Sequence, residues 1–190
     1  KVIDRKRPDC PPEEYRAYAM TEDLVPPMAD FGKGYRYNIT GLFHDETGFP
    51  TNNTEVAGKQ LDRIMKKVEH NFDEINIYDE YMLEDAQYAF ITFGGMARSV
   101  KEAIRTLRKE GIRIGAFIPK TVWPFPEKQI NKLVSDMDGV FVAEMNLGQM
   151  ILEVQRASQE RNKIHAINKA NGEVITPEEI VKSFMEVHNA

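Results

Sequence analysis

From about residue 75 onward, hydrophobic positions alternate between short, nearly continuous runs and stripes of helical period. The runs YAFITF (88–93), IRIGAFI (112–118), VFVAEM (140–145) and KIHAINK (163–169) predict four buried strands, the last less apolar than the others. Between them, Val100, Ala103, Ile104 and Leu107 mark a helix closed by Gly111 at the C′ position. Ile130, Leu133, Val134 and Met137 repeat at i, i+3, i+4 and i+7 and mark a second helix. Leu147, Met150, Ile151 and Val154 mark a third. The last helix starts at TPEEI, where Thr176 caps, Pro177 fits the first turn and Glu179 completes a capping box. Strands alternating with amphipathic helices predict an α/β domain, a three-layer α/β/α sandwich with a mainly parallel sheet. Right-handed crossovers would place its helices on both faces.

Residues 1–53 carry no sustained period. They hold Pro11–Pro12, Pro26–Pro27, the glycines of FGKGYRY and the turn-rich DETGFPTNN. Phe31, Tyr35, Tyr37, Ile39, Leu42 and Phe43 make this stretch too apolar for a disordered tail. It reads as an irregular arm wrapping a surface, with a short strand around Tyr35–Thr40. In TEVAGKQLDRIMKKVEHNF (54–72), Leu61, Ile64, Met65, Val68 and Phe72 predict a surface helix with one buried stripe, capped by Thr54. Residues 1–74 are therefore read as arm and linking helix, and 75–190 as the α/β domain.

Composition narrows the class. One cysteine, Cys10, excludes an internal disulfide, an all-cysteine iron–sulfur site and a cysteine-rich zinc site within this chain. It also makes the cytoplasm the default compartment. A net charge of −5 argues against a nucleic-acid partner, and Lys1, Arg5, Lys6 and Arg7 read as a solvated terminus. No apolar run reaches the ~20 residues of a membrane span, and no signal-peptide pattern opens the chain. The chain starts at Lys1 rather than Met, which points to a fragment or a trimmed product.

Candidate chemistry gathers in four stretches. FGGMARS (93–99) places Gly94, Gly95, Arg98 and Ser99 at a strand end and helix start, a setting for anion binding. It lacks the Walker lysine and a full dinucleotide fingerprint, so the glycines read first as permitting a sharp turn and close helix packing. Thr40, Gly41, His44, Asp45 and Glu46 form a dense polar turn, but adjacent ligands converge poorly and no metal is assigned. His165 reads as a satisfied histidine on a strand. KTVWPFP (120–126) stiffens a loop carrying Trp123 and Phe125, either a plug over the sheet edge or a subunit contact. Glu144, Asn146, Gly148 and Gln149 follow the third run, where parallel sheets place ligands. These polar groups either contact a ligand or hold their own loop.

Four ordered stretches, ITGLFHDETGFP, AFITFGGMARSVKEAIRTLRKEGIRIG, KTVWPFP and VAEMNLGQMILEVQR, resemble the C-terminal part of the alpha subunit of 2-oxoacid:ferredoxin oxidoreductases. The 2-oxoglutarate branch is the nearest likeness. The resemblance implies a domain similar to the transketolase C-terminal domain. It also implies a whole enzyme converting a 2-oxoacid and coenzyme A to acyl-CoA, CO2 and reduced ferredoxin. Thiamine diphosphate, magnesium and an iron–sulfur cluster serve that enzyme, none of them expected on this chain.

Implied partners are a beta subunit, N-terminal domains of the alpha subunit, ferredoxin and coenzyme A. Glu144, Asn146, Leu147, Gly148 and Gln149 match an ELNLGQ-like signature, with Met145 replacing a leucine. Lys120, Thr121, Trp123, Pro124, Phe125 and Pro126 match a KTLWPFP-like loop, with Val122 departing from it. Thr40, Gly41, Leu42, His44, Asp45, Glu46 and Gly48 match a third segment, in which Phe43 replaces glutamate. The resemblance implies structural, interface or access roles for all three, and no catalytic residue. The alternatives are a freestanding anion- or nucleotide-binding module, or the same enzyme class acting on pyruvate or branched-chain 2-oxoacids.

Overall fold

The computed structural model describes residues 4–189, and the chain divides into two units, Lys1–Phe72 and Asp73–Ala190. In the second unit, β1 (Tyr78–Tyr81), β2 (Tyr88–Thr92), β3 (Ile114–Pro119), β4 (Gly139–Glu144) and β5 (Ile164–Asn168) form one sheet of order β1-β3-β2-β4-β5. The pairs β2·β3, β2·β4 and β4·β5 are parallel, and β1 joins β3 antiparallel. Four helices of this unit are α3 (Ala97–Lys109), α4 (Glu127–Asp136), α5 (Gln149–Ala157) and α6 (Pro177–His188). A short helix α2 (Phe72–Ile75) spans the junction, after α1 (Thr54–His70) of the first unit.

Side-chain alternation along the strands builds two cores. Phe90, Ile114, Ala116, Ile118, Phe141 and Ala143 face α3 and α6, meeting Val100, Ile104, Leu107, Ile180 and Phe184. Their neighbours Ala89, Ile91, Phe117, Val140 and Val142 face α4 and α5, meeting Ile130, Leu133, Val134, Met150 and Val154. Every residue of β3 and β4 is buried, because helices cover both faces. The expected three-layer sandwich is what forms.

The helix ends follow the expected chemistry. Gly111 adopts φ +85°, its N–H reaches the Arg108 carbonyl and the Ile112 N–H reaches that of Leu107, a Schellman ending. Thr176 Oγ1 accepts from the Glu179 N–H while the Glu179 carboxylate accepts from the Thr176 N–H, closing the capping box.

β1 has no counterpart among the expected strands. Its sequence YDEY shows no apolar run, and its charges suit the outer edge of a sheet. It is held by backbone pairing to β3 and by Tyr78 stacked on Phe117 at 4.6 Å. Leu147, expected on α5, lies before the helix and is 92% exposed.

The first unit departs further from expectation. No strand forms at 35–40, and the bridge that does form joins His44 to Pro50. Tyr15 is its aromatic centre: its hydroxyl donates to the Pro27 carbonyl and accepts from the Ala29 N–H, beside Tyr35 and Tyr37. Asn53, not Thr54, caps α1, because its Oδ1 accepts from the Glu55 and Val56 N–H groups. The buried side chains of α1 are Gln60 and Arg63, while the apolar Leu61, Ile64 and Met65 are exposed. Arg5 pairs with Asp30, Lys6 with Asp23 at 2.9 Å and Arg7 with Asp30 at 3.5 Å, so these bases staple the arm while staying exposed. Lys1 lies outside the described residues.

Candidate functional site at the carboxyl edge of the sheet

β3, β2 and β4 are parallel neighbours, so the loops that leave their carboxyl ends emerge side by side. The chain passes from β2 to β3 on one side, then returns to β4 on the other. That reversal is a topological switch point, and the crevice outside it is where open α/β sheets bind ligands. FGGMARS and EMNLGQ flank this point, and the ends of β2 and β4 that lead into them are tied by the Thr92 hydroxyl donating to the Ala143 carbonyl at 2.9 Å.

The loop after β4 is held by its own polar groups. Glu144 is fully buried and its carboxylate accepts from the Met150 N–H at 2.8 Å and the Ile151 N–H at 3.0 Å. It thereby occupies the positive end of α5, which a ligand anion would otherwise fill. Asn146 Oδ1 accepts from the Gly148 and Gln149 N–H groups, and its carbonyl accepts from Asn168 Nδ2 at 3.2 Å. Gly148 sits at φ +100°, where a side chain would be strained. What the loop offers outward is apolar: Leu147 at 92% exposure and Met145 at 44%, beside the exposed Gln149.

The loop after β3 is anchored on both sides. The Thr121 hydroxyl donates to the Ile75 carbonyl at 2.6 Å, and Asn76 Nδ2 donates to the Pro124 carbonyl at 2.7 Å. Lys120 pairs with Asp79 at 2.6 Å. The Trp123–Pro124 peptide is cis. The two aromatic rings separate in role: Phe125 is buried in the α4/α5 core, whereas Trp123 is 63% exposed. One loop thus carries a buried ring and, two residues before it, an exposed one.

The turn after β2 is open. Gly94 takes φ +59° and starts a 3-10 turn that runs into α3 without a side-chain cap. Beside it lies a groove of about 550 Å³ lined by Phe93, Gly94, Ala97, Lys101, Lys120 and Val122. Arg98 is exposed and Ser99 half-buried, and neither lines that groove. Lys101, missed in the sequence, does so with its amine 5.1 Å over the Tyr81 ring. Its position four residues after Ala97 on α3 is the signal that points to it.

The arm motif belongs to the first unit. Thr40 Oγ1 and His44 Nε2 lie 3.0 Å apart, and the His44 ring stacks on Tyr18 at 4.9 Å. Asp45 Oδ1 accepts from the Thr47 hydroxyl and from the Thr47 and Phe49 N–H groups. The Thr47 hydroxyl chiefly holds the Asp45 carboxyl below its ordinary pKa. Glu46 is exposed, and its carbonyl accepts from the Tyr18 N–H at 3.2 Å. Gly41 borders a shallow hollow with Leu42, Phe43 and Pro50. Among the described residues, no three His, Cys, Asp or Glu side chains gather as metal ligands. His165 stands half-buried on β5, 5.0 Å from Phe141, and burial pushes its imidazole pKa down. No helix among the described residues is long and apolar enough to cross a membrane.

A family model described as pyruvate:ferredoxin oxidoreductase core domain II matches residues 86–180. The 2-oxoglutarate synthase subunit KorA of Methanothermobacter thermautotrophicus is 37% identical over 189 residues, which are 99% of this chain and 50% of that protein. The subunit of the same name from Methanocaldococcus jannaschii is 37% identical over 97% of this chain and 49% of its own length. The chain spans about half the length of these curated relatives. A solved 2-oxoglutarate:ferredoxin oxidoreductase from Magnetococcus marinus, with 2-oxoglutarate, coenzyme A and succinyl-CoA bound, superposes with a TM-score of 0.84. Identity there is 28%, over 98% of this chain and 32% of that chain.

Proposed function

We propose a function from the premise that this chain belongs to the 2-oxoacid:ferredoxin oxidoreductase family, as an alpha-subunit region carrying core domain II. In this reading the assembled enzyme converts 2-oxoglutarate and coenzyme A to succinyl-CoA, CO2 and reduced ferredoxin. Relatives that share nearly all of this chain carry the 2-oxoglutarate name, which favours that acid over pyruvate or a branched-chain 2-oxoacid. The partners are the rest of the alpha subunit, a beta subunit and ferredoxin.

Within that enzyme the chain is a scaffold that borders the reaction centre. Thiamine diphosphate, magnesium and an iron–sulfur cluster supply the decarboxylation and electron-transfer chemistry when bound elsewhere. The residues here do not fit a cysteine-ligated cluster. The one cysteine of this chain cannot supply the set of thiolates such a cluster needs. The observation that carries the scaffold reading is the division of labour at the carboxyl edge. Glu144 and Asn146 hold the loop, while Val122, Trp123, Met145 and Leu147 project from the loops that follow β3 and β4, two strands separated by β2 in the sheet order. Exposed apolar and aromatic groups around a polar frame are the anatomy of a protein contact.

Leu147→Asp and Trp123→Ala test this reading in the full-length subunit. Both residues are exposed, so the unfolding midpoint is expected to stay within the small range of surface substitutions. Assembly with the beta subunit is expected to weaken by on the order of tenfold or more for at least one of them. Unchanged assembly and unchanged turnover in both variants would contradict the contact role.

A further inference from the structure

Helix α1 has three faces. At ~100° per residue, Val56, Gln60, Arg63 and Lys67 share one side, and this side meets the arm. Gln60 Nε2 donates to the Tyr18 carbonyl at 2.9 Å. Arg63 donates to the Leu24 carbonyl at 3.1 Å and to Gln60 Oε1 at 2.9 Å. Glu55, Lys59, Asp62, Lys66 and Glu69 form a second, charged side facing water. Leu61, Ile64, Met65 and Val68 form the third, and the first three are 48%, 43% and 46% exposed. If the third side merely met solvent, the charges would extend onto it; they stop at its border. A helix with a fixed polar seat, a charged solvent side and a separate apolar stripe is patterned for a second contact.

The rest of the first unit shows the same deficit. Among its described residues only Tyr15 and Ala29 are buried apolar positions, while Phe31, Ile39, Leu42, Phe43 and Phe49 are exposed. Such a unit gains little stability from its own core. The match to the curated relatives runs over 99% of this chain, so α1 lies inside the shared region, and half of the relatives' length lies beyond it.

We propose that the Leu61–Ile64–Met65–Val68 side of α1 is the seat of the other half of the alpha subunit, an apolar contact within one polypeptide. This rests on the reading that the natural subunit, like its relatives, carries a further region of similar length. The size of the patch selects this occupant over a second copy. Four partly exposed side chains fall well short of the ~800 Å² per partner of a standard free interface. A covalently tethered region needs less, because the tether supplies a high effective concentration.

Thiol labelling tests the proposal. In a Cys10→Ser background, Ile64→Cys and Met65→Cys report the apolar side, and Lys66→Cys reports the charged side. Maleimide labelling is measured in the 190-residue chain, in the full-length subunit alone and in its complex. The expected result is slowing on the order of tenfold or more at positions 64 and 65 in the full-length protein, with position 66 labelled equally fast in both chains. Protection that appears only in the complex assigns the side to another subunit and overturns the proposal. Equal rates at both 64 and 65 overturn the proposal. Protection in the short chain that grows with its concentration assigns the side to a second copy and overturns it as well. Two reporters keep the test decisive if one substitution prevents folding. Turnover of 2-oxoglutarate by the same complex is measured in parallel. Protection without turnover sinks the enzymatic reading and leaves the contact standing; turnover without protection does the reverse.

Discussion

Gly115→Ala is expected to destabilise the α/β unit by about 2–3 kcal/mol, a large loss for one methyl group. Gly115 lies on β3 beneath the turn that follows β1, and a Cβ there would sit 2.7 Å from the Met82 carbonyl carbon and 2.8 Å from Leu83 Cδ2. The carbonyl oxygen is nearer still. That backbone has little freedom to retreat. Met82 already holds φ +53°, and its carbonyl accepts from Arg108 at 2.7 Å. The same guanidinium donates to the Ile114 carbonyl and pairs with Asp85. Moving the turn would break this clasp, which joins α3, β3 and the edge strand. Reduced freedom of the unfolded chain returns ~0.4–1 kcal/mol and does not offset the clash. Gly95→Ala is the control, since nothing lies within 4 Å of its Cβ. Chemical denaturation of both variants settles the matter, and a Gly115→Ala protein as stable as the Gly95→Ala protein contradicts the packing described.

Glu144→Ala is the second large effect, expected at about 2–4 kcal/mol from the loss of charge-assisted bonds. It leaves the buried Met150 N–H and the part-buried Ile151 N–H without their partner. Glu144→Gln keeps one carbonyl oxygen toward the Met150 and Ile151 amides but loses the negative charge at the start of α5. Its cost is expected nearer ~1 kcal/mol. The pair separates a structural carboxylate from a reacting one. In the assembled enzyme, Glu144→Gln is expected to leave turnover within a few-fold, since the side chain faces helix amides and is wholly buried. A loss of ~100-fold or more at unchanged stability would be the signature of proton transfer and would reverse the assignment.

The α/β unit was largely legible because its signals are local. Buried strands such as GVFVAE and helical stripes such as Ile130–Leu133–Val134 are written in periodicity, and caps such as Thr176–Glu179 in a few adjacent residues. β1 escaped because an edge strand answers to pairing and to protection from further pairing, neither of which leaves an apolar pattern. The arm escaped for the opposite reason. Its hydroxyls bond across long separations, Tyr35 to the Cys10 carbonyl and Tyr18 to that of Asn38, and no window of sequence contains such pairs. α1 showed its stripe but not which way it would turn, since Gln60 and Arg63 dock on carbonyls some forty residues away. At the candidate site, the residue types in EMNLGQ were visible as polar groups at a strand end. That they serve the loop itself, leaving Leu147 to project, required the geometry.

On the proposed function, this chain is a scaffold region of an alpha subunit and the chemistry lies in what it assembles with. Reduction of ferredoxin driven by 2-oxoglutarate and coenzyme A decides between the chain and its assembly as the seat of that chemistry. The assay is run on the full-length subunit with its partner and, separately, on the 190-residue chain. Turnover is expected from the assembly and only background from the chain. Turnover by the chain alone, or none by the assembly with any 2-oxoacid, would contradict the proposed function.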